Sequence, residues 1–128
     1  LINFSVIMKN VPQSLKTWFL IHFVTDIIFA IPLIFFPSFF KNLLQLETVT
    51  GLRVIGAALI GIGGASYFCE KYEEFNIMLT LKILWSSSAI FSLMLAFLLG
   101  ESNNVLFIIV IFTIYLTAWI YFKKKYFR

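Results

Sequence analysis

The 128-residue chain has little of what most soluble machinery needs. It carries one cysteine, Cys69, so it has no intrachain disulfide and no cysteine-based zinc or iron–sulfur site. It carries one histidine, His22, so no multi-histidine metal centre forms within one copy. Charged residues make up only 12% of it, against roughly 25% in a soluble domain. What is there instead is apolar: 61% of residues are hydrophobic and mean hydropathy is +0.96. Together these figures exclude a soluble enzyme, a disordered chain and a disulfide scaffold, and leave an integral membrane protein. The net charge of +4 does not indicate a nucleic-acid partner. Lys123, Lys124, Lys125 and Arg128 follow directly on an apolar run, as topology determinants do, and no basic face with interleaved aromatics lies outside the apolar segments.

Four apolar runs organise residues 1–128 as a single membrane domain, at 17–36, 51–69, 77–99 and 105–122. Their lengths of 20, 19, 23 and 18 residues match the ~17–25 needed to cross a ~30 Å hydrocarbon core. A helix satisfies its own backbone, so each run reads as a spanning helix. The first is the severest test, because it contains Asp26, His22 and a kinking Pro32. Thirteen Leu, Ile, Phe or Val residues, at roughly −0.3 to −0.6 kcal/mol each, still outweigh about +3 for the aspartate. Short connections imply an all-α, antiparallel four-transmembrane-helix bundle. Between the first two spans, residues 37–46 have a helical apolar period with Pro37 at the N-terminal end, giving a short amphipathic outer helix.

Lysines and arginines concentrate on the side holding both termini and the 70–76 loop, which places both termini in the cytoplasm. Trp18, Tyr72, Trp119, Tyr121 and Tyr126 read as interfacial aromatics. Met8-Lys9 reads as a native start, with residues 1–7 an upstream extension or a gene-calling artefact, and no secretory signal is expected before Trp18. The Phe, Ile, Lys and Asn bias fits an AT-rich microbial genome and hence a plasma membrane.

Ionisable residues inside a membrane are costly and are therefore the first functional candidates. His22 and Asp26 stand four apart on one helical face, with Trp18 a turn earlier. Lys82 lies in the third span, and at 1.5 Å per residue its depth suits Asp26 better than does that of Arg53, near the outer edge. Arg53 then either bridges downward or meets a helix end or a lipid headgroup. His22, Asp26 and Lys82, with Arg53 above them, form either a polar pocket that relays protons or holds a ligand head, or a structural polar clamp with Lys82 snorkelling to the interface. The third span also carries Trp85, and its Ser86, Ala89 and Ser92 or Leu93 extend the Lys82 face, unless the serines bond back to their own helix.

Helix packing is assigned to Gly56, Ala57, Gly61, Gly64 and Ala65. Ala57, Gly61 and Ala65 stand four apart, a small-residue stripe suited to close helix approach within the chain or to a dimer contact. Gly61-Ile62-Gly63-Gly64 follows no strand and is not a nucleotide loop. The fourth span, with Thr113, Thr117 and Tyr121, reads as packing and lipid contact. Glu70, Glu73 and Glu74 read as a solvated loop, and Cys69 as an inert thiol.

Phe35-Phe36-Pro37 closing the first span, an outer segment, and Leu52-Arg53-Val54-Ile55-Gly56 opening a glycine-rich second span resemble the DoxX-like and neighbouring small four-helix membrane families, over about residues 15–100. That resemblance implies importance for Arg53 and Gly56 in the arrangement of the first two helices. For some members it also implies a place beside membrane redox systems, for which this chain has no cysteine pair or cofactor motif.

Three functions compete. One is an accessory subunit, or a binder of a lipid or hydrophobic small molecule, which the lack of a complete catalytic constellation favours. A second is a membrane enzyme using His22 and Asp26 acid–base chemistry on a lipid-like substrate. The third is a transporter or channel formed by a homo-oligomer or larger membrane complex. No cofactor and no metal are expected.

Overall fold

The computed structural model describes residues 10–46 and 49–127; the expectation for residues 1–7 and Met8 lies outside them. Five helices follow in order: α1 Gln13–Phe35, α2 Pro37–Leu44, α3 Thr50–Tyr67, α4 Tyr72–Leu98 and α5 Leu106–Tyr126. The described residues contain no strand. Three helices, α1, α4 and α5, are long and apolar enough to cross a membrane. The apolar stretch of α3, Gly51–Tyr67, is shorter.

Local chemistry moves several boundaries from their expected places. α4 starts at Tyr72, not 77. Of the acidic residues expected in a loop, Glu70 stays outside the helix but Glu73 and Glu74 are in its first turn, where the Glu74 carboxylate accepts the N–H groups of Glu70 and Lys71 at 2.8 and 2.9 Å. Those donors would otherwise be orphans at a helix start, where negative charge also suits the dipole. At its other end α4 stops in a Schellman arrangement. Gly100 takes φ +71°, its N–H reaches Phe97 O, and Glu101 N–H reaches Ala96 O. α5 continues through the lysine run to Tyr126, since cations in a last turn favour the helix. There Lys123 does more than mark topology. Its Nζ donates to Asn76 O at 3.1 Å, to Asn76 Oδ1 and to Thr80 Oγ1 at 2.8 Å, fastening α5 to α4. α1 runs unbroken through Pro32.

α2 has Pro37 at its first position and turns inward, burying Pro37, Phe40 and Leu44. Its last carbonyls find donors outside the helix. Ser102 Oγ donates to Leu44 O and Asn104 Nδ2 to Leu43 O, both at 2.7 Å, tying α2 to the α4–α5 turn.

α1 packs most closely on α3, and α4 on α5, giving two helical hairpins. Two apolar clusters form the core. One gathers Leu15 and Phe19 of α1, Phe75 and Leu79 of α4, Trp119 and Phe122 of α5, and Phe127. The other, towards α2, gathers Leu33, Phe40, Leu44 and Leu52. On α1 the polar pair His22 and Asp26 falls between the two. Outside, Ile28, Phe91, Leu98 and Val54 belong to a broad exposed apolar surface, far beyond what an aqueous monomer carries.

Candidate functional site

The buried face of α1 reads Leu15, Phe19, His22, Asp26, Ala30, Leu33, steps of three and four that keep one side of a helix inward. On α4 the corresponding face is Phe75, Leu79, Lys82, Ser86. Bringing the two together sets three ionisable side chains in the interior: His22 and Asp26 are 5% exposed and Lys82 is fully buried. They converge on a single atom. Lys82 Nζ lies 2.9 Å from His22 Nδ1, and Asp26 Oδ2 lies 3.0 Å from the same nitrogen. An imidazole nitrogen either donates or accepts, so Nδ1 serves one of these neighbours at a time. The Asp26 approach is close but is not an aligned hydrogen bond. Asp26 Oδ2 and Trp119 Nε1 are buried without a hydrogen-bond partner among the described residues.

An aromatic wall closes the site from below and from α5. Tyr115 and Trp119 meet the His22 ring edge-on at 4.6 and 5.2 Å between centroids. The Lys82 ammonium lies 5.1 Å from the centroids of both Phe19 and Trp119, close enough for cation–π attraction. Trp18 backs this wall at 6.1 Å from Tyr115 and 6.2 Å from Trp119. Thr25 Oγ1 donates to Ile21 O at 2.9 Å, so at its 2.8 Å contact with Tyr115 the tyrosine hydroxyl is the donor.

α3 supplies the fourth side through a missing side chain. A Cβ at Gly63 would stand 2.9 Å from both Cβ and Oδ2 of Asp26, so α3 reaches the carboxylate only because residue 63 is glycine. Gly56 does the same higher up, where a Cβ would meet Ile34 Cγ1 at 2.8 Å.

The structure thus joins His22, Asp26 and Lys82, with Trp18 behind them and Ser86 buried one turn beyond Lys82. Trp85 is half-buried and makes no ring contact among those described. Arg53 stands apart: it is exposed and donates to Ile34 O at 2.5 Å, capping the C-terminal end of α1. Ala57, Gly61 and Ala65 do not form the packing face. All three are exposed, and Gly61 and Gly64 have open space around them. The face that packs is Leu52, Gly56, Gly63 and Ser66. Trp119, expected at the interface, is fully buried.

Sequence reasoning missed Tyr115, Phe19, Thr25 and Gly63. One signal was present: Tyr115, Trp119 and Phe122 keep the three-to-four spacing of a helix face within the run read as packing and lipid contact. Beside the site, an open groove of about 380 Å³ lies between the ends of α1 and α3 and the start of α4, with Lys16 and Glu70 among its lining and Phe19 and Phe75 in its wall. Phe19 stands between it and Lys82. Cys69 also lines it; burial, and then the Glu74 charge, push its thiol above the ordinary value. Among the described residues no three His, Cys, Asp or Glu side chains are grouped to hold a metal.

No family model matches the chain, and no curated protein or solved structure matches it.

Proposed function

We propose that this chain is a four-span antiparallel membrane bundle that binds the polar end of a lipid or other hydrophobic small molecule at Asp26, His22 and Lys82. One observation carries the reading: among the described residues, the buried acceptor Asp26 Oδ2 has no aligned hydrogen-bond donor. Leaving such a group unmatched costs about 1–3 kcal/mol or more when it is charged, so a ligand that supplies the hydrogen bond gains that amount. The ligand therefore has a donor at its polar end, a hydroxyl or amine, and an apolar body. The groove beside Phe19, at the end of the bundle that holds Lys16 and Glu70, offers it an approach.

The span count and orientation belong to the same proposal. α3 has 18 residues, or about 27 Å at 1.5 Å each, within a few ångströms of the hydrocarbon core. Lys16, Lys71, Lys123, Lys124 and Lys125 on one side against Lys41 and Arg53 on the other support cytoplasmic termini. The importance that the DoxX-like resemblance implies for Arg53 and Gly56 in arranging the first two helices is part of the proposal, and the Arg53 cap on α1 and the tight Gly56 contact are consistent with that role.

Native mass spectrometry of the protein released from lipid nanodiscs tests the ligand. The expected result is a defined added mass on the wild type that Asp26→Asn loses. A wild-type chain that carries no added mass, alone or as an oligomer, sinks the binding reading in favour of an accessory subunit or a pore.

A further inference from the structure

We propose that the groove beside Phe19 is a second binding site, which holds the headgroup of a zwitterionic phospholipid with its phosphate on Lys16 and its ammonium on Glu70. The site is separate from the one at Asp26, since Phe19 stands between the groove and Lys82, and the proposal does not rest on that reading. Among the described lining residues Lys16, in the first turn of α1, is the one cation, and Glu70, between α3 and α4, is the one anion. Both are exposed, and neither side chain makes a hydrogen bond or ion pair among the described residues. Their charged neighbours are engaged: Glu74 holds the N–H groups of Glu70 and Lys71, and Lys123 holds Asn76 and Thr80. The smaller polar side chains of the lining spend their hydrogens on the backbone of α3. Ser66 Oγ donates to Ile62 O at 2.9 Å, and Cys69 Sγ donates to Ala65 O at 3.5 Å. The groove therefore presents one unpaired positive and one unpaired negative charge beside an apolar wall of Phe19 and Phe75.

Position says which occupant meets both charges. The groove lies where α1 and α4 begin and α3 and α5 end, and Lys123, Lys124 and Lys125 stand in the last turn of α5 at the same end. In a bundle that spans a bilayer this is the level of the lipid headgroups, with the hydrocarbon directly beyond it. The volume of about 380 Å³ falls within the ~300–1,000 Å³ of small-molecule sites. A phosphate is held by a cation and an ammonium by a carboxylate, each through charge-assisted hydrogen bonds. Phosphatidylethanolamine carries both groups on one headgroup and satisfies both side chains. Phosphatidylglycerol satisfies Lys16 alone and brings negative charge towards Glu70. Because Lys16 and Glu70 are exposed, each contact is screened, and the preference that Glu70 confers is about two- to fivefold.

Competition between the two lipids tests the site. Full-length protein is placed in nanodiscs holding equal amounts of phosphatidylethanolamine and phosphatidylglycerol with matched acyl chains. Native mass spectrometry then counts each lipid retained on the released chain. The ratio of ethanolamine to glycerol lipid is expected to fall about two- to fivefold in Glu70→Gln. Lys16→Gln is expected to retain less of both lipids than the wild type. Glu73→Gln removes an exposed acid from the same end of α4 but outside the groove, and should keep the wild-type ratio. None of these substitutions removes a side-chain hydrogen bond or ion pair found among the described residues, so folding is not at stake. A ratio that Glu70→Gln leaves unchanged denies the ammonium contact, and unchanged retention by Lys16→Gln denies the phosphate contact. An equal shift in Glu73→Gln makes the preference one of overall charge. Any of these three results overturns the site. Asp26→Asn is expected to keep the ratio, so failure of binding at Asp26 and failure here are read separately.

Discussion

At the scale of single residues, the three buried ionisable groups differ in kind from a surface ion pair. An exposed pair contributes about 0–1 kcal/mol. Here Lys82 is fully enclosed, and its only polar neighbour at hydrogen-bond distance among the described residues is His22 Nδ1. Removing one partner of such a buried set leaves the other uncompensated, which typically costs 3–5 kcal/mol. Lys82→Met is accordingly expected to destabilise the bundle by about that amount. The double variant Lys82→Met with Asp26→Asn should recover most of the loss, since neither charge then remains. A double-mutant cycle of reversible unfolding in mixed micelles measures both. Equal, additive losses would mean that Lys82 and Asp26 do not compensate one another. His22, Asp26 and Lys82 were legible as candidates because ionisable residues in apolar runs are few, and axial depth pairs them. The single nitrogen on which they meet was not legible, since depth says nothing of rotamer or of how far α4 is rotated.

Among the elements, α3 shows most clearly what a sequence pattern settles and what it leaves open. Seven small residues lie from Gly56 to Ala65, and they can be strung into more than one helical stripe. The four-residue string through Ala57, Gly61 and Ala65 drifts around a 3.6-residue helix. Steps of four and three through Leu52, Gly56, Leu59, Gly63 and Ser66 hold one side facing α1. The choice between the strings is made by Asp26 and Ile34 on the opposing helix, which no reading of α3 alone contains. The two kinds of glycine then respond oppositely to a methyl group. Gly63→Ala forces Asp26 or the α1–α3 spacing to shift and is expected to cost about 1–3 kcal/mol, the usual penalty of overpacking. Gly61→Ala meets open space and gains helix propensity, up to about 1 kcal/mol. Thermal unfolding of the two variants side by side decides the register; a reversed order would put the 57–61–65 face inside. The α4 boundary carries the same lesson. Glu73 and Glu74 look like a loop by polarity, and stand in a helix start because a carboxylate is what unpaired N–H groups at that end require.

For the whole molecule, the number of crossings and the site geometry constrain one another. The cluster at one end joins the first turns of α1 and α4 to the last turns of α5, with Cys69, just beyond α3, packed against it. The other end joins α2 to the α4–α5 turn through Ser102 and Asn104. If α3 crosses the bilayer, residues near 10, 69 and 124 share one aqueous face and Asn103 has the other. If α3 stays on the side of α2, Cys69 lies on the face opposite Asn10. The two arrangements also treat Asp26 differently. In the first its α3 neighbour, Gly63, is within the hydrocarbon span; in the second α3 could not remain beside α1 at the depth of Asp26, nine residues or about 14 Å in from the α2 end of the helix. The close Gly63–Asp26 approach therefore argues for the crossing. The native thiol makes the experiment simple, because it is the only cysteine. In oriented vesicles, a membrane-impermeant maleimide should label Cys69 and, in a Cys69→Ser background, Asn10→Cys from the same side. Asn103→Cys in that background should label only from the opposite side. Labelling of Cys69 from the Asn103 side would remove α3 from the membrane and, with it, the fourth wall of the proposed site.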